Sequence, residues 1–486
     1  MSVDNALHPV RPADPPVGPT PWERLRPLVL RLHFYAGVLV APFLLVAAIS
    51  GTLYAATPQL EGLVHRHQLQ VPAVATPLPL TAQIQAATDA RGGAEPAAVR
   101  PAPDPTSTTR VLFADPTLGE SERTAVFVDP GTGEIRGELT VYGTSGSLPV
   151  RTWISQLHRN LHLGEPGRLY SELAASWLGV LALSGSALWL ARRRPRGSGR
   201  GPRARTRRVH GVLGIWLAVG LVGLSATGLT WSTYAGAHVD ALRAGLSWTT
   251  PTVETTAPGA GPAVAGGNHD HHGPGGATGG ADPAVGRTTV SPAAFATVLA
   301  TARSAGLTAA KIEVKAPSEA GATWKVDEID RGWHTRVDSA AVVLTSTDAG
   351  LTGEVTDVVR FSDYPFMAKL ARWGIDLHMG SFGVLNQLVL LALGLGLTGL
   401  LAGGYRMWWL RRPDLTRRAA VGPPPRPGTW RSLPVPLLAL VVAGTVALGW
   451  ALPLLGASLA LFLVLDLALR RRWRPSRASG RSPRGR

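Results

Sequence analysis

The chain has 486 residues, 45% of them hydrophobic and only 16% charged, with a formal net charge of +16. A soluble globular domain carries about 25% charged residues, so this composition excludes an ordinary soluble enzyme, and the apolar content excludes a wholly disordered chain. Cysteine is absent, which excludes disulfides, thiolate nucleophiles, Cys-ligated zinc or iron–sulfur centres, and haem attached through Cys-x-x-Cys-His.

In chain order, a polar segment 1–27 leads into a first apolar stretch over 28–56. The long segment 57–157 follows, then a second apolar stretch over 158–192, an Arg-rich loop 193–208 and a third stretch over 209–236. A second long segment, 237–376, contains a Gly/Pro/Ala-rich linker at 257–286. A fourth apolar stretch covers 377–411, then a loop 412–432, a last apolar block 433–470 and a tail 471–486. A helix needs about 20 apolar residues to cross the hydrocarbon layer, so the first four stretches read as spans. Pro453 interrupts the last block, which reads as two short helices turning near Trp450–Pro453.

Charge orients these spans. Residues 192–208 hold nine Arg and no acid, 411–431 six Arg and one Asp, and 470–486 eight Arg and no acid. Short Arg-rich loops stay in the cytoplasm. The segments 57–157 (seven basic, ten acidic) and 237–377 (eleven basic, fifteen acidic) then lie outside. Six spans with both termini in the cytoplasm satisfy every loop. The basic charge thus belongs to helix flanks facing anionic lipid, not to nucleic-acid binding. The first stretch is longer than a signal-peptide core of about 7–15 residues.

The chain is internally duplicated. His33 and His210 are each followed by Gly four and eighteen residues later, at Gly37 and Gly51 and at Gly214 and Gly228. Leu161-His162-Leu163-Gly164 resembles Leu377-His378-Met379-Gly380, and both following stretches end in Trp-Leu before Arg. The distances from His162 to Arg192 and from His378 to Arg411 differ by three residues. The outside segments echo each other too. Each holds a candidate helix, Leu80–Ala90 or Pro292–Ala305, and then a strand running into a Gly-containing hairpin, at 127–134 and 344–354. The repeated unit is span, external helix and hairpin, span.

Four of the thirteen histidines sit at repeat-equivalent span edges. Ionisable groups at membrane depth are costly and mark function. A neutral imidazole can ligate haem iron axially, and two from neighbouring helices can hold one haem in a bundle. His33 and His210 lie at one edge, and His162 and His378 at the other, with His158 one turn before His162. The flanking glycines would leave room for a flat macrocycle. His269, His271 and His272, in the linker, are candidate ligands for a loosely bound Cu²⁺, Zn²⁺ or Ni²⁺. His65 and His67 read as surface residues. The sequence holds no phosphate loop, dinucleotide fingerprint or zincin motif.

The motifs from Leu32-His33 to Ser50-Gly51-Thr52-Leu53-Tyr54, Leu157-His158-Arg159-Asn160-Leu161-His162, Arg208-Val209-His210 to Thr227-Gly228, and Asp376-Leu377-His378 to Arg411-Arg412-Pro413 resemble the PepSY-associated transmembrane family. Its members include PiuB-like iron-regulated membrane proteins and FoxB-type siderophore reductases. The resemblance implies a membrane all-α helical bundle with two extracytoplasmic α+β PepSY-like domains. It also implies two b-type haems, an inner one on His33 and His210 and an outer one on His162 and His378, with His158 a competing outer ligand. Electrons would come from a quinol or a cytoplasmic reductant and reach a ferric siderophore or other metal chelate outside the cytoplasmic (inner) membrane. The alternatives are a membrane-anchored PepSY regulator or binding module and a copper-handling protein.

Overall fold

The computed structural model describes residues 19–191, 201–257, 290–319, 321–411 and 433–472. Helix α1 (Pro21–Leu39) opens with a capping box, Thr20 with Glu23, and meets α2 (Ala41–Ala55) at a bend of 62°. The sequence predicts one straight span here, and the bend has a local cause. Pro42 has no N–H to give to the carbonyl four residues back. The Tyr405 hydroxyl donates to that carbonyl, Val38 O, at 2.9 Å instead.

Two short helices, α3 (Thr57–Val64) and α4 (Arg66–Leu69), lead to α5 (Leu80–Ala90) and to strands β1 (Ala98–Arg100), β2 (Thr109–Phe113), β3 (Glu122–Val128) and β4 (Ile135–Tyr142). Helix α6 (Pro149–Asn160) then stops where Leu161, His162 and Gly164 take positive φ, and α7 (Glu165–Leu190) begins. The second half repeats the plan. It comprises α8 (Pro202–Leu229), α9 (Tyr234–Gly245), α10 (Pro292–Ser304), β5 (Ile312–Lys315), β6 (Trp324–Glu328), β7 (Ser339–Thr347), β8 (Gly350–Val359), α11 (Phe366–His378) and α12 (Val384–Trp409). The last block forms α13 (Val435–Ala451) and α14 (Pro453–Arg472), parted at Leu452 as Pro453 predicts.

Helices α7, α8 and α12 are long and apolar enough to cross a membrane, and the bent pair α1–α2 makes a fourth span if counted as one. Helix α13, with 17 residues, reaches only about 26 Å against a hydrocarbon core of about 30 Å. The spanning helices pack around Ala36, Leu44, Ala48, Ala174, Trp177, Leu221, Leu397 and Leu400. Helix α14 joins this core through Leu455, and the Trp177 indole donates to Ser458 Oγ at 2.9 Å. Glu172, fully buried, accepts the backbone N–H groups of Tyr234 and Ala235 and so caps α9 from α7.

The two long segments between the spans do not form two separate sheets. Their strands join in one antiparallel eight-stranded sheet of order β4-β3-β2-β1-β5-β6-β7-β8. The halves meet at β1 and β5, where Ala98 lies opposite Lys315 and Val99 opposite Val314. Helices α5 and α10 cover one face together, and their Ile84, Ala87, Phe295 and Val298 share a core with Val99, Val111, Val314 and Val326. The strand order reads the same from either edge inward, which gives the duplication a pseudo-two-fold axis through β1 and β5.

Candidate functional site

The histidines meet in two pairs, each drawn from both halves. At the end of the bundle away from the sheet, the His33 and His210 rings have centroids 6.4 Å apart, edge to face. At the sheet end, His158 and His378 have centroids 6.4 Å apart. The two ends are linked by α8, which carries His210 near one end and Thr227, a contact of His378, seventeen residues further on. That is roughly 26 Å along the helix.

Each ring is held through Nδ1. His158 meets Ser50 Oγ at 3.0 Å, His33 meets Ser184 Oγ at 3.0 Å, His378 meets Thr227 Oγ1 at 2.7 Å, and His210 meets Leu400 O at 3.1 Å. A hydroxyl has one hydrogen. Ser50 gives its hydrogen to Val46 O, Ser184 to Leu181 O and Thr227 to Gly223 O. With the hydroxyl hydrogens so placed, all three oxygens accept from an imidazole Nδ1–H, as the Leu400 carbonyl must. In that tautomer Nε2 carries the lone pair, the arrangement that orients metal-ligating histidines.

Small residues make the room. A Cβ at Gly51 would stand 3.0 Å from His158 Cε1, and one at Gly185 would stand 3.0 Å from His33 Cε1. Gly228 faces His378 at 3.8 Å and Gly403 faces His210 at 3.7 Å. In three of the four cases the residue before the glycine is the Ser or Thr that takes Nδ1–H. At the fourth, Ala402 precedes Gly403 and the carbonyl substitutes. Gly37 and Gly214, read in the sequence with Gly51 and Gly228 as leaving room for a flat macrocycle, face Leu181 and Leu400.

His162 is not brought to His378. It sits at φ 58° in the turn between α6 and α7, with its N–H on Asn160 Oδ1 and its ring 5.0 Å from Trp153. The sequence pairs the two Leu-His-x-Gly tetrads. The fold instead pairs the positive-φ glycines that precede the two 26-residue helices, Gly164 before α7 and Gly383 before α12. Counted back from these, His158 lies six residues away, His378 five and His162 two. His65 is buried, His67 Nδ1 meets Arg136, and His238 stacks on Trp450 at 5.0 Å. His269, His271 and His272 lie outside the described residues. Among the described residues no group of three or more His, Asp or Glu side chains is placed to hold a metal ion.

Two imidazoles binding one metal ion from opposite sides, with metal–nitrogen bonds of about 2.0–2.1 Å, have ring centres roughly 6.3 Å apart. Both pairs fit that spacing, and the donor set, two neutral imidazoles with anchored Nδ1–H, suits axial ligation of haem iron. At the end away from the sheet a cavity of about 770 Å³ opens between α8 and α12, with His210, Arg205 and Arg406 in its wall.

A bundle of apolar spans carrying an extramembrane antiparallel sheet defines a multi-pass membrane protein in contact with the lipid bilayer. Residues 30–411 match the family described as the PepSY-associated TM region, and the chain belongs to it. No curated protein matches the chain.

Proposed function

We propose that the protein carries electrons across the membrane through two b-type haems, one on His33 and His210 and one on His158 and His378. The observation that supports this most is the recurrence of one ligand environment at both ends of the bundle, with Nδ1–H held, Nε2 free, a glycine beneath each ring and the same 6.4 Å spacing. Haem iron supplies one-electron chemistry when bound. The chain's own residues hold the rings through Nδ1.

On this reading the Arg-rich loops face the cytoplasm, and the electron donor is a quinol or a soluble reductant there. The sheet side faces outward, where a ferric chelate such as a siderophore complex is reduced. This reading takes His158 rather than the His162 that the tetrad alignment favours, because the His158 ring stands 6.4 Å from that of His378 while the His162 ring packs on Trp153.

The test is the absorbance spectrum of purified chain and variants. About two acid-acetone-extractable haems per chain are expected. His158→Ala and His378→Ala should each remove the same haem, and His33→Ala and His210→Ala the other. His162→Ala should leave both. Loss of a haem in His162→Ala with both retained in His158→Ala would reverse the assignment. A chain with no haem absorbance would instead favour a membrane-anchored regulator or binding module.

A further inference from the structure

The loop from Asp330 to Arg336, closed by backbone hydrogen bonds between those two residues, reaches from the sheet to the bundle. Trp333 meets Phe382 edge-on at 5.8 Å. Arg331 donates to Thr144 Oγ1 at 3.2 Å and touches Met379 Sδ at 3.9 Å. Met379 follows His378 directly, and Thr144 lies in the connection from β4 to α6. The loop thus carries one guanidinium of the second half onto the seam between the halves, beside the sheet-end histidines.

Two other guanidiniums stand near it. Arg372 of α11 pairs with Asp376 at 3.0 Å, and Arg151 of α6 donates to the Tyr54 hydroxyl at 3.1 Å. Arg151 precedes His158 by seven residues, two turns along the same helix face and about 10 Å away. Burial, then the charges of Arg372 and Arg151, hold the Arg331 pKa down to about 10 against the pull of Asp376. Among the described residues neither Arg331 nor Arg151 has a carboxylate within ion-pair distance; their partners are a hydroxyl, a thioether and a phenol. Glu61 lies near Arg151 but takes the Leu148 N–H at 2.8 Å, and burial pushes its carboxyl pKa up. Even with Asp376 and Glu61 both ionised, three guanidiniums face two carboxylates. Three partly buried guanidiniums in one place repel one another unless an anion joins them, and the guanidinium fork matches a carboxylate in bidentate geometry.

We propose that Arg151, Arg331 and Arg372 form a binding site for a small carboxylate-bearing anion, between the sheet and the sheet-end histidine pair. Two sources put carboxylates there. One is the propionates of a porphyrin on His158 and His378, which rests on the two-haem reading. The other is a free polycarboxylate, or its ferric chelate, entering from the sheet side.

The experiment titrates the full chain in detergent with citrate and with ferric citrate, by calorimetry at fixed ionic strength, in haem-free and haem-supplemented preparations. Binding to both preparations, weakened at least tenfold by Arg331→Gln and partly restored in Arg331→Lys, is the result for an external anion. Binding to the haem-free preparation alone, with Arg331→Gln lowering haem retention at the sheet end, assigns the site to porphyrin carboxylates. Arg151→Gln, in a different element, repeats the measurement if Arg331→Gln does not fold. Citrate affinity unchanged in both Gln variants, or no citrate binding to either preparation, overturns the site. If no preparation takes up haem, the two-haem reading fails while the citrate titration still decides this proposal.

Discussion

At the scale of single residues, the four imidazole environments differ in how tightly the glycine beneath each ring is packed. At Gly51 and Gly185 an added methyl would lie 3.0 Å from a ring carbon, while at Gly228 and Gly403 it would lie at 3.8 and 3.7 Å, ordinary contact distances. Cores resist even one added methylene when neighbours cannot move, and here the ring is also tied through Nδ1 to Ser50 or Ser184. Gly51→Ala should therefore disturb the sheet-end haem and Gly185→Ala the other, while Gly228→Ala and Gly403→Ala leave both nearly unchanged. Electron paramagnetic resonance of the low-spin ferric signals, with haem counted per chain, checks this. Equal effects at all four glycines would show that the rings are not seated as described. Removing the anchoring hydroxyl instead, in Ser50→Ala, should weaken haem retention about 10–100-fold, the usual consequence of losing a partner that orients a ligand.

At the scale of elements, the centre of the sheet is held by charge as well as by pairing. Glu313 of β5 contacts Arg100 of β1, and Lys315 contacts Asp327 of β6 at 2.9 Å. Lys325 approaches Asp327 at 3.4 Å, and the Ser339 hydroxyl donates to it at 2.6 Å. Burial alone would raise the Asp327 pKa, but Lys315, Lys325 and Ser339 outweigh it and hold the carboxyl below its usual range. Burial likewise opposes Glu313, and Arg100 with Lys315 carries it below as well. The folded state therefore favours the ionised carboxylates more than the unfolded chain does. Their stabilisation is complete above the ordinary carboxylate values near pH 4 and is lost as pH falls through the lowered folded-state values. Asp327→Asn should cost about 1.5–3 kcal/mol near neutral pH and flatten the fall in unfolding temperature below about pH 4. A thermal-unfolding series on wild type and variant measures both. None of this network was legible in the sequence, because Arg100 and Glu313 are 213 residues apart and only the β1–β5 pairing brings them together. Local elements were legible. Leu80–Ala90 is the helix read from the chain, and the final block turns at Pro453 as its proline demands. The bend between α1 and α2 was not anticipated, although Pro42 stood in the sequence to signal it. The fold brings His158, not the His162 of the tetrad alignment, beside the His378 ring, and the sequence held a clue to that. The three-residue discrepancy between His162 to Arg192 and His378 to Arg411 shrinks to one when His158 is used.

At the scale of the whole molecule, one pseudo-two-fold relation runs through both the sheet and the bundle. The sheet closes across β1 and β5, and each histidine pair takes one residue from each half: His33 with His210, and His158 with His378. The duplication and the pairing of histidines across its two copies were read from the sequence, whereas the joining of the two long segments in one sheet was not. The copies share their sheet and their histidine pairs. Neither half contains both histidines of a pair, and neither covers its own central strand edge, so each alone would expose β1 or β5 as an unpaired edge. The first half would also lack the α8 and α12 surfaces that pack on α2 and α7. A chain cut once between Ala191 and Gly201, after α7 and before α8, tests this sharing. Each half expressed alone should bind no haem, because a single imidazole faces each would-be site. The two halves expressed together should copurify and regain both haems at once, near full stoichiometry, since the same association assembles both pairs. Recovery of one haem by either half alone would mean that ligands pair within a half and would overturn the pairing across the seam drawn from the 6.4 Å contacts. Copurification without haem would separate the fold from the cofactor, leaving the shared sheet in place and the electron-transfer reading without its carrier.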